Sequence, residues 1–559
     1  MAATPKRALD SLVRRHAEFG GDAASAKRAA LDQLESARLG SARNVLALHE
    51  SLCFLRAYPD DAAVLAQVER MLAGFARRTD LRRHATTLEN QGIAGTVTRF
   101  PFYAETAAWL AARHPGRLRV DWAAADPGDT FERLLPWLAL EAEMPGIDEY
   151  DFTPREWLRR LKSPAETDAE FLVRRFRSFR LTASERETLY EMLQMPLVLS
   201  PGPGVPARGE EKLADAAVSF QRRPLDRGRP DLRRAARRAP FTIETLTHAQ
   251  GARVVELARS AMVSRARDLD AFCYGDPADV RMVRWEDGLA FAVIGVIPER
   301  RLMLESVYAY LTLKNGVPIG YVLVSALFGS SEVAYNVFET WRGAEAARIY
   351  ARALATTRAL FGSDTFTIMP YQLGGFGNEE GIASGAWWFY RKLGFEPRDP
   401  EGKALAAREE AAVARRASHR SSPATLRQLA RHNLFLSLGR PRANVIGTLD
   451  LANVGLHVTR FLAGHFGSDR ERARRACVRE AARRLGARPT GADRIAWERW
   501  SPLVLILPGI AGWSAAQRRA LAGVIRAKDA RRESEFVRRF DAHRPLRRAL
   551  AELARDPLA

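Results

Sequence analysis

Residues 337–347 read Val-Phe-Glu-Thr-Trp-Arg-Gly-Ala-Glu-Ala-Ala: an apolar run ends, the chain turns, and a helix opens. That helix, read over 343–361, carries Ala346, Ile349, Tyr350, Ala353 and Leu354 on one face and so packs on a sheet. Its first turn leaves backbone N–H groups without partners, and with the helix dipole these make a site for a pyrophosphate. Gly343, Ala344, Ala346 and Ala347 are small enough to let a phosphate approach the backbone. Further along stands Ala386-Trp-Trp-Phe-Tyr-Arg-Lys-Leu-Gly-Phe395, where Tyr390 offers a titratable hydroxyl among aromatic rings. Candidate bases beside these segments are Glu339, Glu332 and Glu305. Asn378, Glu379 and Glu380, in the loop 374–382, are candidates to line an acceptor pocket.

The elements that must position these groups lie between Pro240 and Pro397. Residues 241–246 alternate with period two, and a helix follows over 249–265. Apolar runs come next at 290–297, 306–313, 320–327 and 332–338, with Asn315-Gly316 between two of them as a hairpin signal. The helix 343–361 leads to a strand at 365–370, a Gly-rich loop and a last helix at 383–393. The order strand, helix, antiparallel strands, helix, strand, helix predicts a mixed α/β domain.

The flanks read as helical. Val45, Leu48, Leu52 and Leu55 in 44–58, and Val64, Leu65, Val68, Met71 and Leu72 in 62–75, fall at helical spacing and predict paired antiparallel helices. The stretch Ser-Pro-Gly-Pro-Gly-Val-Pro at 200–206 sustains neither helix nor sheet, and an Arg-rich run, 221–238, follows it. A second break, 399–423, holds a short polar helix at 405–416. The C-terminal part reads as helical, including 522–540. The expected division is a helical region 1–200, a linker 201–239, a mixed-sheet domain 240–398, a linker 399–423 and a basic helical domain 424–559.

Val337 to Ala347, as V-x-x-x-[WY]-R-G-x-x-x-A, resembles the acyl-CoA pyrophosphate motif of the GNAT N-acyltransferase superfamily. Residues 386–395 resemble that superfamily's later motif, A-x-x-[LF]-Y-x-K-x-G-F. The resemblance covers about 240–398. It implies an α/β GNAT-like mixed-sheet domain between predominantly α-helical N- and C-terminal domains. It further implies transfer of an acyl group, acetyl in the simplest case, from acetyl-CoA or another acyl-CoA to an amine acceptor by direct attack on the thioester. In the roles so implied, the backbone of Val337 and Phe338 holds the pantetheine. Amides of Arg342, Gly343, Ala344, Glu345, Ala346 and Ala347 hold the pyrophosphate. Tyr390 is the general acid toward the thiolate, and Glu339 lies where some relatives use a glutamate or a water as base. A tyrosine of pKa about 10 can protonate a thiolate whose parent thiol has pKa about 8.5. Two positions depart from the family pattern. Glu345 stands where glycine is usual, and its carboxylate would compete with a diphosphate at the helix N-terminus. Ala383 stands where asparagine is common.

Composition sets the outer limits. The chain has 559 residues, 47% hydrophobic and 27% charged, enough to bury large cores. Its three cysteines exclude a disulfide scaffold and a Cys-rich zinc module, and point to a reducing, cytoplasmic setting. No metal-ligand spacing, phosphate loop or nucleophile elbow is complete, so no metal is expected. No signal peptide or membrane span is expected. Residues 401–559 hold 32 Lys and Arg against 15 Asp and Glu, whereas 1–400 hold 54 against 51. The alternative reading follows from that asymmetry: a degenerate GNAT-like scaffold whose basic C-terminal helices contact nucleic acid or an acidic protein.

Overall fold

Runs rich in β-branched and aromatic residues make strands, and the chain carries several in succession between residues 275 and 337. In the computed structural model, which describes residues 4–557 except 127, 215 and 417, they form most of a nine-stranded mixed sheet. Three short strands precede it: β1 (Thr98–Phe100), β2 (Leu118–Val120) and β3 (Leu197–Leu199), joined in an antiparallel sheet of their own. The large sheet holds β4 (Thr242–Thr245), β5 (Gly275–Arg284), β6 (Leu289–Val296), β7 (Ser306–Lys314), β8 (Val317–Leu327) and β9 (Ser330–Val337) as an antiparallel meander. β10 (Thr365–Ile368) lies parallel to β9, β12 (Leu434–Ser437) antiparallel to β10, and β11 (Glu396–Pro397) closes that edge against β12.

Five helices matter for the site. α1 (Ala42–Ala57) is capped by Ser41, α2 (His248–Val263) by a Thr247/Gln250 capping box, and α3 (Ala346–Phe361) ends at Gly362 with φ of 76°. α4 (Ala386–Lys392) and α5 (Ser534–Ala542) complete the set. The Asn315-Gly316 turn has positive φ at both residues, 51° and 79°, as a two-residue hairpin of this hand requires. Its Asn315 amide also donates to the carbonyls of Ala57 and Ser219 at 2.9 and 3.0 Å, tying the hairpin to the N-terminal helices.

The architecture is mixed α/β, and four expectations change in detail. The helix expected at 383–393 begins only at Ala386, as α4, because Gly385 adopts φ of 67° before it, and the loop expected ahead of it holds a short helix, Glu379–Ala383. The helix expected at 522–540 is two, Ala515–Lys528 and α5, separated by a turn that inserts Glu533 into the interior. β5 was not expected: Gly275-Asp-Pro opens it, and Asp279, Arg281 and Arg284 interrupt its apolar pattern. The sheet is also not confined to 240–398, since β12 arrives from beyond residue 423 and pairs with β10. One hydrophobic core accordingly unites the first N-terminal helices, the sheet and the C-terminal helices, while a second core gathers 102–205.

Burial of ionic groups fixes the C-terminal helices on the sheet. Lys528 Nζ lies 2.5 Å from Glu533 Oε1 and donates to the Glu305 carbonyl at 2.7 Å; Arg301 approaches the same carboxylate at 3.9 Å. Lys528 is 2% exposed and Glu533 0%. Removing one partner strands the other charge in the interior. Glu533→Ala is therefore expected to cost about 3–5 kcal/mol in urea unfolding. A midpoint equal to wild type would show that the cluster does not hold these helices.

Candidate functional site

β9 and β10 pair in parallel only at Thr365–Ser330, Phe366–Ser331 and Thr367–Glu332. Beyond Glu332 the strands part, although β9 continues to Val337 along β8. Along the freed edge of β9 opens a cleft of about 290 Å³. Tyr335, Asn336 and Val337 line it from β9, Arg342, Gly343 and Ala346 from the loop and α3, and Phe389 and Tyr390 from α4.

The backbone of β9 explains what the cleft offers. The Phe338 amide donates to the Ile319 carbonyl at 3.0 Å, so strand alternation turns the amide and carbonyl of Val337 to the open edge. At Tyr335 the same edge meets the hydroxyl of Tyr390. Of the two strand residues expected to offer backbone bonds, Val337 therefore faces the cleft, whereas Phe338 is committed to β8. Its ring is buried beneath the Arg265 guanidinium at 3.9 Å.

The loop between β9 and α3 is sorted in the same way. The Arg342 and Ala344 amides donate to Glu339 and Trp341 at 3.1 Å, which leaves Gly343 and the first turn of α3 as the remaining donors. Gly343 has φ of 82°, a conformation a side chain would strain, and open space where a Cβ would stand. Val337, Gly343 and Ala346 line the cleft, while Ala344 and Ala347 line a neighbouring pocket. Glu345 lines neither. It is 6% exposed and turned inward, 3.8 Å from Lys314 Nζ and 3.1 Å from Arg348 Nη1. The expected competition between its carboxylate and a diphosphate is thus replaced by an internal ion pair, which the sequence could not reveal because Lys314 comes from a different strand.

Tyr390 is 3% exposed and packed edge-on against Tyr350, Phe389 and Phe395, with ring centroids 5.2–5.7 Å away. Burial raises its pKa, so it stays protonated. Glu339 is exposed on a short turn, Glu339–Trp341, and does not line the cleft. Glu332 does not line the cleft either, but it is half-buried on β9 just before the cleft begins. It sits where the strands part, and it is near enough to Tyr390 to contribute to that residue's shift. Burial, reinforced by Glu305, raises its pKa to about 7. Strand alternation puts Glu332 on the sheet face opposite the Tyr335 ring, which stacks near Tyr350 of α3.

The loop 374–382 divides. Asn378 and Glu380 line the cleft, and Glu380 pairs with Arg342 across its mouth. Glu379 instead pairs with Arg427 at 2.8 Å, and Ala383 is exposed. Asn336, Gln372 and Ser384 were not expected; they emerge only when the fold brings three segments together. The Asn336 Oδ1 is buried without a hydrogen-bond partner, an acceptor directed at no protein donor.

The N-terminal helices brace this loop. Thr340 donates to Glu50 of α1, Arg208 lies 2.6 Å from the same carboxylate, and Trp341 is 2% exposed. Among the described residues no group of three or more His, Cys, Asp or Glu could hold a metal ion, and no helix is long and apolar enough to cross a membrane. The chain matches no protein-family model, and no curated protein or solved structure matches it.

The raised pKa of Glu332 has a stability consequence with a definite sign. Its protonated form is favoured in the folded state, so that contribution is complete below the unfolded value near 4.3 and is lost as pH rises through about 7. Glu332→Gln is expected to melt higher than wild type at pH 8, with the difference vanishing by pH 4. A difference in melting temperature that stays constant with pH would refute the placement of this carboxylate.

Proposed function

We propose that the protein is an acyl-CoA-dependent N-acyltransferase, acting at the cleft along the freed edge of β9. The observation that carries this reading is the divergence of two parallel strands directly before a glycine loop and a helix N-terminus, with a buried tyrosine at the bottom. The GNAT-like motifs at 337–347 and 386–395 fall on that cleft, which supports the same reading.

The residues divide the work by sheet face. The acyl-carrier arm lies along the open edge of β9, bonded at Val337, with its diphosphate at Gly343 and the first turn of α3. The acceptor amine approaches from the opposite face, where Glu332 takes its proton. The amine nitrogen then attacks the thioester carbonyl carbon, a C–N bond forms and the C–S bond breaks. The departing thiolate receives the Tyr390 proton. A dry site raises the proton affinity of the nascent thiolate as it raises that of the tyrosine, so the transfer stays near balance. Glu332 serves as base better than Glu339, because a carboxyl group near pKa 7 is ionised and basic at neutral pH.

Calorimetry with acetyl-CoA and longer acyl-CoAs is expected to show binding at one site. With a panel of primary amines, thiol release by Tyr390→Phe is expected to fall at least about 100-fold while acetyl-CoA affinity is kept. Absence of binding heat with every thioester would end this reading. Parallel loss of affinity and turnover would remove the acid role of Tyr390.

A further inference from the structure

The Arg-rich run after the Pro/Gly break has no role in the chemistry above, yet the fold lays it beside the cleft. The strap is pinned at both ends. Its Gln221 amide donates to the Pro59 carbonyl at 2.8 Å and Leu225 packs on the main core. At the other end Leu232 is 2% exposed and opens a short helix, Leu232–Ala235, capped by Asp231. Between these pins Arg227 and Arg229 are exposed. They line a pocket of about 220 Å³ with Lys392 from the last turn of α4. Its floor is Gly343, Ala344, Ala346 and Ala347, so small residues leave the backbone accessible from this side as well.

Three features make this pocket selective for a phosphate. First, three cations from two separate segments converge with no carboxylate in the lining. Asp226 accepts the Gly228 amide at 3.0 Å within the strap without lining the pocket, and Glu345 is turned inward to Lys314 and Arg348. Second, among the described residues neither Arg227 nor Arg229 has a carboxylate within 4.0 Å, although most arginines around the site do. Lys392 stands 5.8 Å over the Trp388 ring. Third, the pocket adjoins the cleft, with Gly343, Ala346 and Phe389 lining both.

We infer that Arg227, Arg229 and Lys392 form a clamp for a phosphomonoester at the far end of the carrier, the 3′-phosphate of CoA. The inference rests on the acyl-CoA reading of the cleft and adds to it the feature by which the enzyme tells CoA from carriers lacking that group. A phosphomonoester brings nearly two negative charges and three acceptor oxygens, and arginine pairs with it through two parallel N–H donors. The strap therefore belongs to the binding site rather than serving as a spacer.

The test uses the full-length chain and calorimetry at two salt concentrations, with acetyl-CoA and its 3′-dephospho form as probes. Wild type is expected to bind acetyl-CoA at least about tenfold more tightly, and the gap is expected to narrow in high salt. The double variant R227A/R229A is expected to bind both probes as wild type binds the dephospho form, and K392A to lie between. These are exposed side chains, and melting curves check that the variants fold. Equal affinity of wild type for the two probes, or equal weakening of both by R227A/R229A, would overturn the clamp while leaving the acyl-CoA reading intact. Failure of wild type to bind either probe would overturn both.

Discussion

Parallel pairing that stops after three residues is the constraint on which the site depends. Had β10 followed β9 to Val337, the backbone of that edge would be saturated and no ligand could bond to it. The strands part because β10 is only four residues long, while β9 is held along its whole length by β8. Backbone groups in a protein interior must find partners, and here the freed edge of β9 meets Tyr390 at Tyr335 and opens at Val337.

Keeping two strands apart requires support from both sides, and the rest of the chain provides it. On the loop side, α1 reaches Thr340 through Glu50, and Arg265 covers Phe338. On the opposite side, β12 secures β10 through the register Thr365–Ser437 to Ile368–Leu434. Farther along the sheet the buried Lys528, Glu533 and Arg301 hold the C-terminal helices in place. The arginine excess of the C-terminal part is partly absorbed within its own helices, where Arg474 pairs with Glu471 and Glu498, and Arg483 and Arg484 with Glu480.

Much of this was legible in the residues, for reasons that are local. Short apolar runs bounded by turn residues read as strands, and Asn315-Gly316 read as a tight turn. The loop–helix element 337–361 announced itself through small residues ahead of an amphipathic face. What was hidden depends on pairs distant in sequence. Glu345 looked like an obstacle until Lys314 was seen beside it. The resemblance favoured Glu339 over Glu332 as the base, and only the structure separates that exposed carboxylate from a half-buried one where the β9–β10 pairing ends. β5 was obscured by its polar residues, of which Asp279 accepts from Tyr308 of β7 and from the Glu533 amide, and Arg284 pairs with Glu244 of β4.

The insertion of β12 from outside the central segment has a practical meaning for anyone who would trim the molecule. A fragment ending near residue 398 would keep β10 but lose the strand that covers its outer edge. It would then display bare amides and carbonyls flanked by Phe366 and Ile368, both normally inaccessible. Such an edge recruits strands from neighbouring chains, so the excised piece would precipitate or self-associate rather than stand alone.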